Sequence, residues 1–380
     1  MISAKSICYF DNAATTFPKP LGVTVEMERC MRYYAGNPGR GSHKMSLMAS
    51  EKLFEARTLA AKLFHISQPE QVVFTMNTTH ALNMAIIGLV REKSHIILSD
   101  LEHNSTLRVA EYLKRTKGVE YSIFSTDGDV VEQLERLVRK DTSAVICVHG
   151  SNVTNVFLPL ERIGAFAKKR GIYFIVDAAQ SAGSHAINME KCHISALCVP
   201  GHKGLLGPQG VGMAIFSPDV TAEPLIYGGS GSLSKSLDMP PYLPDRLESG
   251  TMPTPCIAGL CEGMKYILKT GEAEIFERES LIMDSIKRRF DHDGRIVTYS
   301  RNRGPLWLFN VRGISSAETA RILDGFGVCV RPGLHCAPLA HKTLGTPEGG
   351  AVRVSAGPFS EKTDAEVFCD CLERTLCALK

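Results

Sequence analysis

Long apolar runs are missing from this chain. No stretch of its 380 residues approaches the roughly 18 consecutive apolar positions that a bilayer-spanning helix needs, and Met1 to Phe10 carries no apolar signal-peptide core. Both absences predict a cytoplasmic protein with no membrane partner. A charge excess is missing as well. The 43 basic and 40 acidic side chains leave +3, too little to build a field for nucleic acid or an anionic surface. Cysteine is not scarce, but paired CxxC knuckles are. The 12 cysteines are scattered, so no metal site is expected, and most of them should be small buried hydrophobes. Cys369 and Cys371 lie in a helix-like stretch where burial explains them. Internal repeats and low-complexity tails are absent too.

What is present suits two packed domains of ordinary composition, 44% hydrophobic and 22% charged. Short apolar runs alternate with amphipathic stretches. Val72–Thr75, His95–Ser99, Ala144–Val148 and Tyr173–Val176 read as strands, and Thr79–Val90, Thr106–Lys114 and Leu160–Arg170 as helices. The alternation predicts an α/β fold with a large, doubly wound, mainly parallel sheet. Residues 230–255, rich in Gly, Ser and Pro, read as a long functional loop. One helical stretch over Cys256–Asp291 and strands near Leu306–Asn310 and Val328–Arg331 then suggest a smaller α+β domain.

Four signals stand out, three of them just after strands in this series. Gly201-His202-Lys203-Gly204 is a glycine-flanked lysine, which is either an exposed loop residue or an amine whose pKa burial can lower for covalent chemistry. Asp177 ends a strand where open α/β sheets bind ligands; it is either structural or a partner for a protonated ring nitrogen. Gln180 lies close enough to donate to an oxygen on such a ring. Asn77-Thr78-Thr79 stands between strand and helix, as a plain N-cap or as a phosphate cradle. Glu102-His103-Asn104 offers an imidazole that could stack on a flat ring. Together they favour a phosphorylated aromatic cofactor.

The same motifs carry a resemblance. Tyr9-Phe10-Asp11-Asn12-Ala13-Ala14-Thr15-Thr16, Asn77-Thr78-Thr79, Glu102-His103-Asn104, Ser151-Asn152-Val153, Asp177-Ala178-Ala179-Gln180, Gly201-His202-Lys203, Arg331-Pro332-Gly333-Leu334-His335-Cys336-Ala337 and Arg353-Val354-Ser355 occur in order along nearly the whole chain. So ordered, the chain resembles the class V aminotransferase family of fold type I pyridoxal-phosphate (PLP) enzymes, and within it the Suf-type cysteine desulfurases and selenocysteine lyases. The resemblance implies PLP held by Lys203 as a Schiff base, Asp177 at the pyridine nitrogen and His103 over the ring. It implies Gln180 and Asn152 near the phenolic oxygen, and Thr78, Thr79 and His202 at the phosphate. Thr251 would reach the phosphate site of a neighbouring subunit, so a homodimer is expected. A large PLP-binding domain would cover 16–255, with 1–15 and 256–380 forming the small one.

The same resemblance makes Cys336 the nucleophile that takes sulfur from L-cysteine as a persulfide, leaving alanine, and makes His103 an acid–base participant. His335 and Arg331 adjoin Cys336 in sequence, and positive neighbours there would favour its thiolate. Gly333 suggests a mobile loop that carries the persulfide outward, towards a sulfur-accepting protein. Arg353 is expected to clamp the substrate carboxylate, with Asn12, Arg331 and Arg40 as further substrate contacts. Selenocysteine as substrate, and desulfinase, transaminase or epimerase chemistry, stay open. The sequence departs from the family pattern at Pro200 and at Gly357-Pro358-Phe359-Ser360.

Overall fold

Apolar runs of four to seven residues become the strands of one sheet, and the amphipathic stretches between them become its covering helices. The computed structural model describes residues 7–39, 41–300 and 302–378. The elements begin with β1 (Cys8–Tyr9), α1 (Leu21–Tyr33), α2 (Lys44–Phe64), β2 (Val72–Thr75), α3 (Thr78–Leu89), β3 (His95–Ser99) and α4 (Asn104–Lys117). Then come β4 (Glu120–Phe124), α5 (Val130–Leu137), β5 (Thr142–Val148), α6 (Leu160–Arg170), β6 (Tyr173–Asp177), β7 (Ala196–Pro200) and β8 (Gly212–Phe216). Next are α7 (Thr254–Thr270), α8 (Glu272–Phe290), β9 (Ile296–Thr298), β10 (Leu306–Val311) and α9 (Ser316–Gly325). The last are β11 (Val328–Cys329), β12 (Arg331–Gly333), α10 (Pro338–Leu344), β13 (Ala351–Ser355) and α11 (Lys362–Ala378). None of the described helices is long and apolar enough to cross a membrane.

The chain divides into two units. One comprises Lys19–His149 and Leu158–Thr270; the other comprises Met1–Pro18, Gly150–Phe157 and Gly271–Lys380. The first holds a seven-stranded sheet in the order β2-β8-β7-β6-β5-β3-β4. Strands β7, β6, β5, β3 and β4 pair in parallel, while β8 runs antiparallel to both β7 and β2. Two reversals restore direction, so β2 ends at the same edge of the sheet as β3, β6 and β7. The central strands are buried along their whole length, which is why their sequences read as continuous apolar runs rather than alternations. Val73, Leu82, Ile86, Ile96, Leu98, Ile146, Ile175 and Phe216 form much of this core.

The second unit has an antiparallel sheet, β12-β13-β10-β9, and a parallel pair, β1-β11. Its core is aromatic: Trp307 stacks on Phe309 at 4.1 Å between ring centroids, with Phe290, Phe10 and Phe368 around them.

Two expectations change here. The helical stretch over 256–291 is two helices, because Gly271, at φ = +91° and ψ = 134°, leaves the helical conformation between them, a backbone that glycine adopts readily. The strand expected over 328–331 is two strands in different sheets: Cys329 pairs with Tyr9, and Arg331 pairs with Arg353. The Gly/Ser/Pro-rich segment contains no helix or strand from the end of β8 to Thr254, as its composition predicts.

Candidate active site

In the seven-stranded unit, the loops after β2, β3, β6 and β7 leave the same edge of the sheet and carry the four signals. Asp177 is the last residue of β6 and is buried. Its Oδ1 accepts the Ala179 N–H at 2.8 Å. Burial raises its pKa, opposed by that N–H and by the nearby positive charge of Lys203. Lys203 is half-buried in the turn after β7. Gly204 lets this turn lie against the one after Asp177, since a Cβ there would stand 2.2 Å from the Ala182 carbonyl oxygen. The ammonium of Lys19 donates to the His202 carbonyl at 2.5 Å. Burial lowers the Lys19 pKa to about 8 and that of His202 to about 4, with Lys203 and Lys19 adding to the latter.

Asn77, not Thr78, is the N-cap of α3, its side chain accepting the His80 N–H at 2.9 Å. That leaves Thr78 as the first helical residue. Its hydroxyl is buried and has no hydrogen-bond partner among the described residues. Thr79 Oγ1 lies 2.8 Å from Ser105 Oγ, which lies 2.8 Å from His103 Nδ1. His103 is itself the N-cap of α4: its Nδ1 accepts the Ser105 N–H at 3.1 Å. An Nδ1 that accepts leaves the proton of the neutral ring on Nε2. The hydroxyls then run one way, from Thr79 to Ser105 to His103.

Sequence reasoning passed over Ser105, and it passed over Glu102 as a residue in its own right. Glu102 is fully buried, accepting the Ser99 hydroxyl and, at 2.9 Å, the Val148 N–H. Burial pushes its carboxyl up to about 8, against those two hydrogen bonds. Burial thus favours its protonated form, and the side chain ties the end of β3 to the end of β5, one residue before His103.

The Glu248-Ser249-Gly250-Thr251 segment starts from a buried anchor. Arg57 grips Glu248 through two bonds of 2.9 and 2.8 Å, and Glu248 also accepts the Phe74 N–H at 2.6 Å. Thr251 is exposed and accepts from Asn37 Nδ2 at 3.2 Å. Arg40 lies outside the described residues. Its neighbours Gly39, Gly41 and Ser42 share with residues 227–240 an open cavity of about 890 Å³ whose other walls include Tyr227, Ser230 and Asp238.

The second unit gathers the remaining candidates. Arg353, on β13, is 1% exposed, bonded to Asp11 at 2.9 Å and to the Asn152 carbonyl at 3.2 Å. Burial lowers its pKa while the Asp11 carboxylate opposes this. Its Nε is buried without a hydrogen-bond partner among the described residues. Asn152 Nδ2 donates to the His335 carbonyl at 2.8 Å, so Arg353, Asn152 and His335 form one connected chain next to Cys336. Asn12 spends its amide on backbone: it accepts the Phe17 N–H at 3.1 Å and donates to the Ser355 carbonyl at 3.1 Å. Gly357 protects that arrangement, because a Cβ at 357 would stand 2.4 Å from Asn12 Oδ1. The departure from the family pattern at 357 thus has a steric reason.

Among the twelve cysteines, only Cys336 and Cys377 are exposed. The expected positive neighbour of Cys336 is not there in the form predicted. His335 is 4% exposed, and burial, with Arg353 nearby, lowers its pKa to about 3; it is uncharged and turned inward. Gly333 is paired with Ala351 in a strand ladder rather than lying in an open loop.

A family model described as aminotransferase class-V matches residues 8–368. The chain is 32% identical to a probable cysteine desulfurase of Methanothermobacter thermautotrophicus, over 96% of this chain and 94% of that protein. It is 31% identical to one of Pyrococcus abyssi, over 99% and 96%. The apo structure of cysteine desulfurase from Thermococcus onnurineus superposes with a TM-score of 0.89 at 30% identity, covering 98% of this chain and 96% of that one.

Proposed function

The chain belongs to the class-V aminotransferase family, and from that premise we propose that it is a PLP-dependent cysteine desulfurase, with Lys203 holding the cofactor and Cys336 accepting the sulfur. The observation that carries this reading is the buried Asp177 carboxyl at the end of β6, with Lys203 in the turn that follows the adjacent strand β7. A buried carboxylate calls for a positive hydrogen-bond donor, and a protonated pyridine nitrogen is one. The unpartnered Thr78 hydroxyl and the N-terminus of α3 suit a phosphate, and Thr79 and His202 are assigned to it with them. The residues therefore fit PLP. When bound, it supplies an electron sink for the pair released at the substrate Cα.

The protein's own groups do the rest. Lys203 Nζ removes the Cα proton and returns it later. His103 is assigned to cover the ring, its orientation set by the Nδ1 bonds to Ser105, and Gln180 is assigned to the phenolic oxygen. Arg353 keeps its charge beside Asp11 and has N–H groups left for a carboxylate. Cys336 Sγ, as thiolate, attacks the substrate sulfur. The S–S bond forms as the Cβ–S bond breaks, and the electron pair left on the three-carbon fragment takes up a proton. The sum is L-cysteine plus a thiol giving L-alanine plus a persulfide. Exposure of Cys336 suits onward transfer to an acceptor protein, and exposure of Thr251 suits its use by a second copy in a homodimer. Asn152, whose amide nitrogen already holds the His335 carbonyl, is assigned to supporting the Cys336 turn.

The test uses purified protein incubated with PLP and desalted. A retained visible band is expected, absent in Lys203→Ala. Alanine and sulfide should appear from L-cysteine with reductant and vanish in Cys336→Ala. Full alanine production by Cys336→Ala would overturn the role of the thiol, and its retention with selenocysteine alone would favour the lyase reading.

A further inference from the structure

Cys336 is exposed; what holds it lies underneath. His335 and Cys336 have φ of +51° and +56°, two consecutive non-glycine residues in the left-handed region, a conformation that persists only where surroundings impose it. Three groups converge on His335 to do so. Asn152 fixes its carbonyl, the Arg331 carbonyl lies 2.9 Å from its Nε2, and His341 Nε2 lies 3.1 Å from its Nδ1. The two imidazoles lie nearly parallel, with centroids 5.3 Å apart and planes at 17°. His341 is on α10 and 2% exposed, and its Nδ1 lies 2.9 Å from Thr346 Oγ1.

The hydrogen positions follow from this chain. A carbonyl only accepts, so His335 Nε2 must carry the proton. A neutral His335 must then accept at Nδ1 and His341 must donate from Nε2, so the Thr346 hydroxyl, which also has the His341 carbonyl at 3.3 Å, turns its proton towards His341 Nδ1 at 2.9 Å. Both rings are neutral in this arrangement. Burial and the positive charge of Arg353 disfavour a proton on either, with Arg331 adding to this at His335. An apolar side chain would fill the place of His341 at less cost, but it could not donate.

We propose that His341 is a positioning residue for the reaction: through His335 it holds the left-handed turn that presents the Cys336 thiol. The inference rests on the reading of Cys336 as nucleophile. His341→Phe keeps the ring volume and removes both nitrogens. It should lower kcat for alanine formation by roughly threefold to tenfold, the scale of one neutral hydrogen bond, and leave KM for cysteine unchanged. His341→Gln, whose amide nitrogen falls near the position of Nε2, should restore most of the loss. Thr346→Val, which removes the hydroxyl shared between Nδ1 and the carbonyl of His341, should cause a smaller fall in the same direction and serves if His341→Phe does not fold.

A second readout needs neither substrate nor turnover. The iodoacetamide alkylation rate of Cys336, followed on its own peptide relative to Cys377, should fall several-fold in His341→Phe and recover in His341→Gln. An unchanged or raised ratio with unchanged kcat overturns the inference. So does a loss in which KM moves with kcat and Gln gives no rescue. If wild-type protein makes no alanine from cysteine, the desulfurase reading fails, while the alkylation ratio still decides the role of His341.

Discussion

The two units hold their reactive groups by opposite means. In the seven-stranded unit, Asp177, Lys203, His103 and Thr78 stand at or just after strand ends and at helix starts, where the ladders of the sheet fix the backbone. In the other unit, Cys336 stands on a turn whose backbone is itself unfavourable, and side chains of Asn152 and His341 hold it there. A frame made of ladders tolerates changes of side chain but not of charge. A turn made of side-chain bonds should lose function in small steps.

Asp177→Asn attacks the first unit where charge matters most. It keeps the shape and removes the carboxylate, so turnover should fall by roughly a hundredfold or more, with the protein still folded and PLP still retained at saturating concentration. Stopped assays of alanine with the absorbance spectrum of the variant check both. Turnover within a few-fold of wild type would break the comparison.

Asn152→Ala attacks the second unit. Loss of one bond to the His335 carbonyl should lower turnover by about fivefold to tenfold and leave PLP retention untouched, measured by equilibrium dialysis. If PLP retention drops in proportion, Asn152 serves the cofactor, as the family resemblance had implied, and not the turn.

The smallest effect is one of pH. Glu102 holds its proton up to about 8, while an unfolded glutamate releases it near 4.3. Folding therefore takes up a proton between those values. This contribution to stability is complete below about 4.3 and is lost as pH rises through about 8. Buried histidines act in the opposite sense. His335 and His341 protonate only near 3 and 4 in the folded protein but near 6.5 when unfolded, so their contribution is complete above about 6.5 and lost as pH falls. Glu102→Gln should therefore raise Tm at pH 8 relative to pH 5, by about 2–4 °C for each kcal/mol recovered, and leave the acid limb as it was. Burial also raises Glu272, in the other unit, to about 7, so the alkaline limb should flatten rather than disappear. Parallel scans of both proteins would show it, and identical pH profiles would mean that Glu102 is charged.

The strand ends were legible because parallel strands buried on both faces leave unbroken apolar runs, and Val72–Thr75 and His95–Ser99 were delimited by them without error. Asp177 could be found because it follows such a run, and Lys203 because glycines flank it. The second unit was less legible. Its strands are short and change sheets at Val330, and apolar patterning does not record a change of partner. The charge of His335 was misjudged because adjacency in sequence says nothing of which way a ring turns, and this one turns into the core. Ser105, Glu102 and His341 act by contacts across space, to a neighbouring loop, strand or turn, and no local spacing announces them. Gly271 went unread as a helix end, although glycine is the residue that most often closes one.

One topological detail bears on synthesis. Strand β2, whose end carries Asn77 and Thr78, is hydrogen-bonded to β8 and to no other described strand. A ribosome makes β2 early and β8 only after β3 to β7 have emerged. The first strand of the sheet is thus the last that can join it, and closing so distant a pair is slow. Until Gly212–Phe216 is made, β2 presents two unpaired edges to other nascent chains. The threonine cradle is then the final piece of its unit to be assembled, and a chain stalled before Gly212 could hold Asp177 and Lys203 in place and still have nowhere to seat a phosphate.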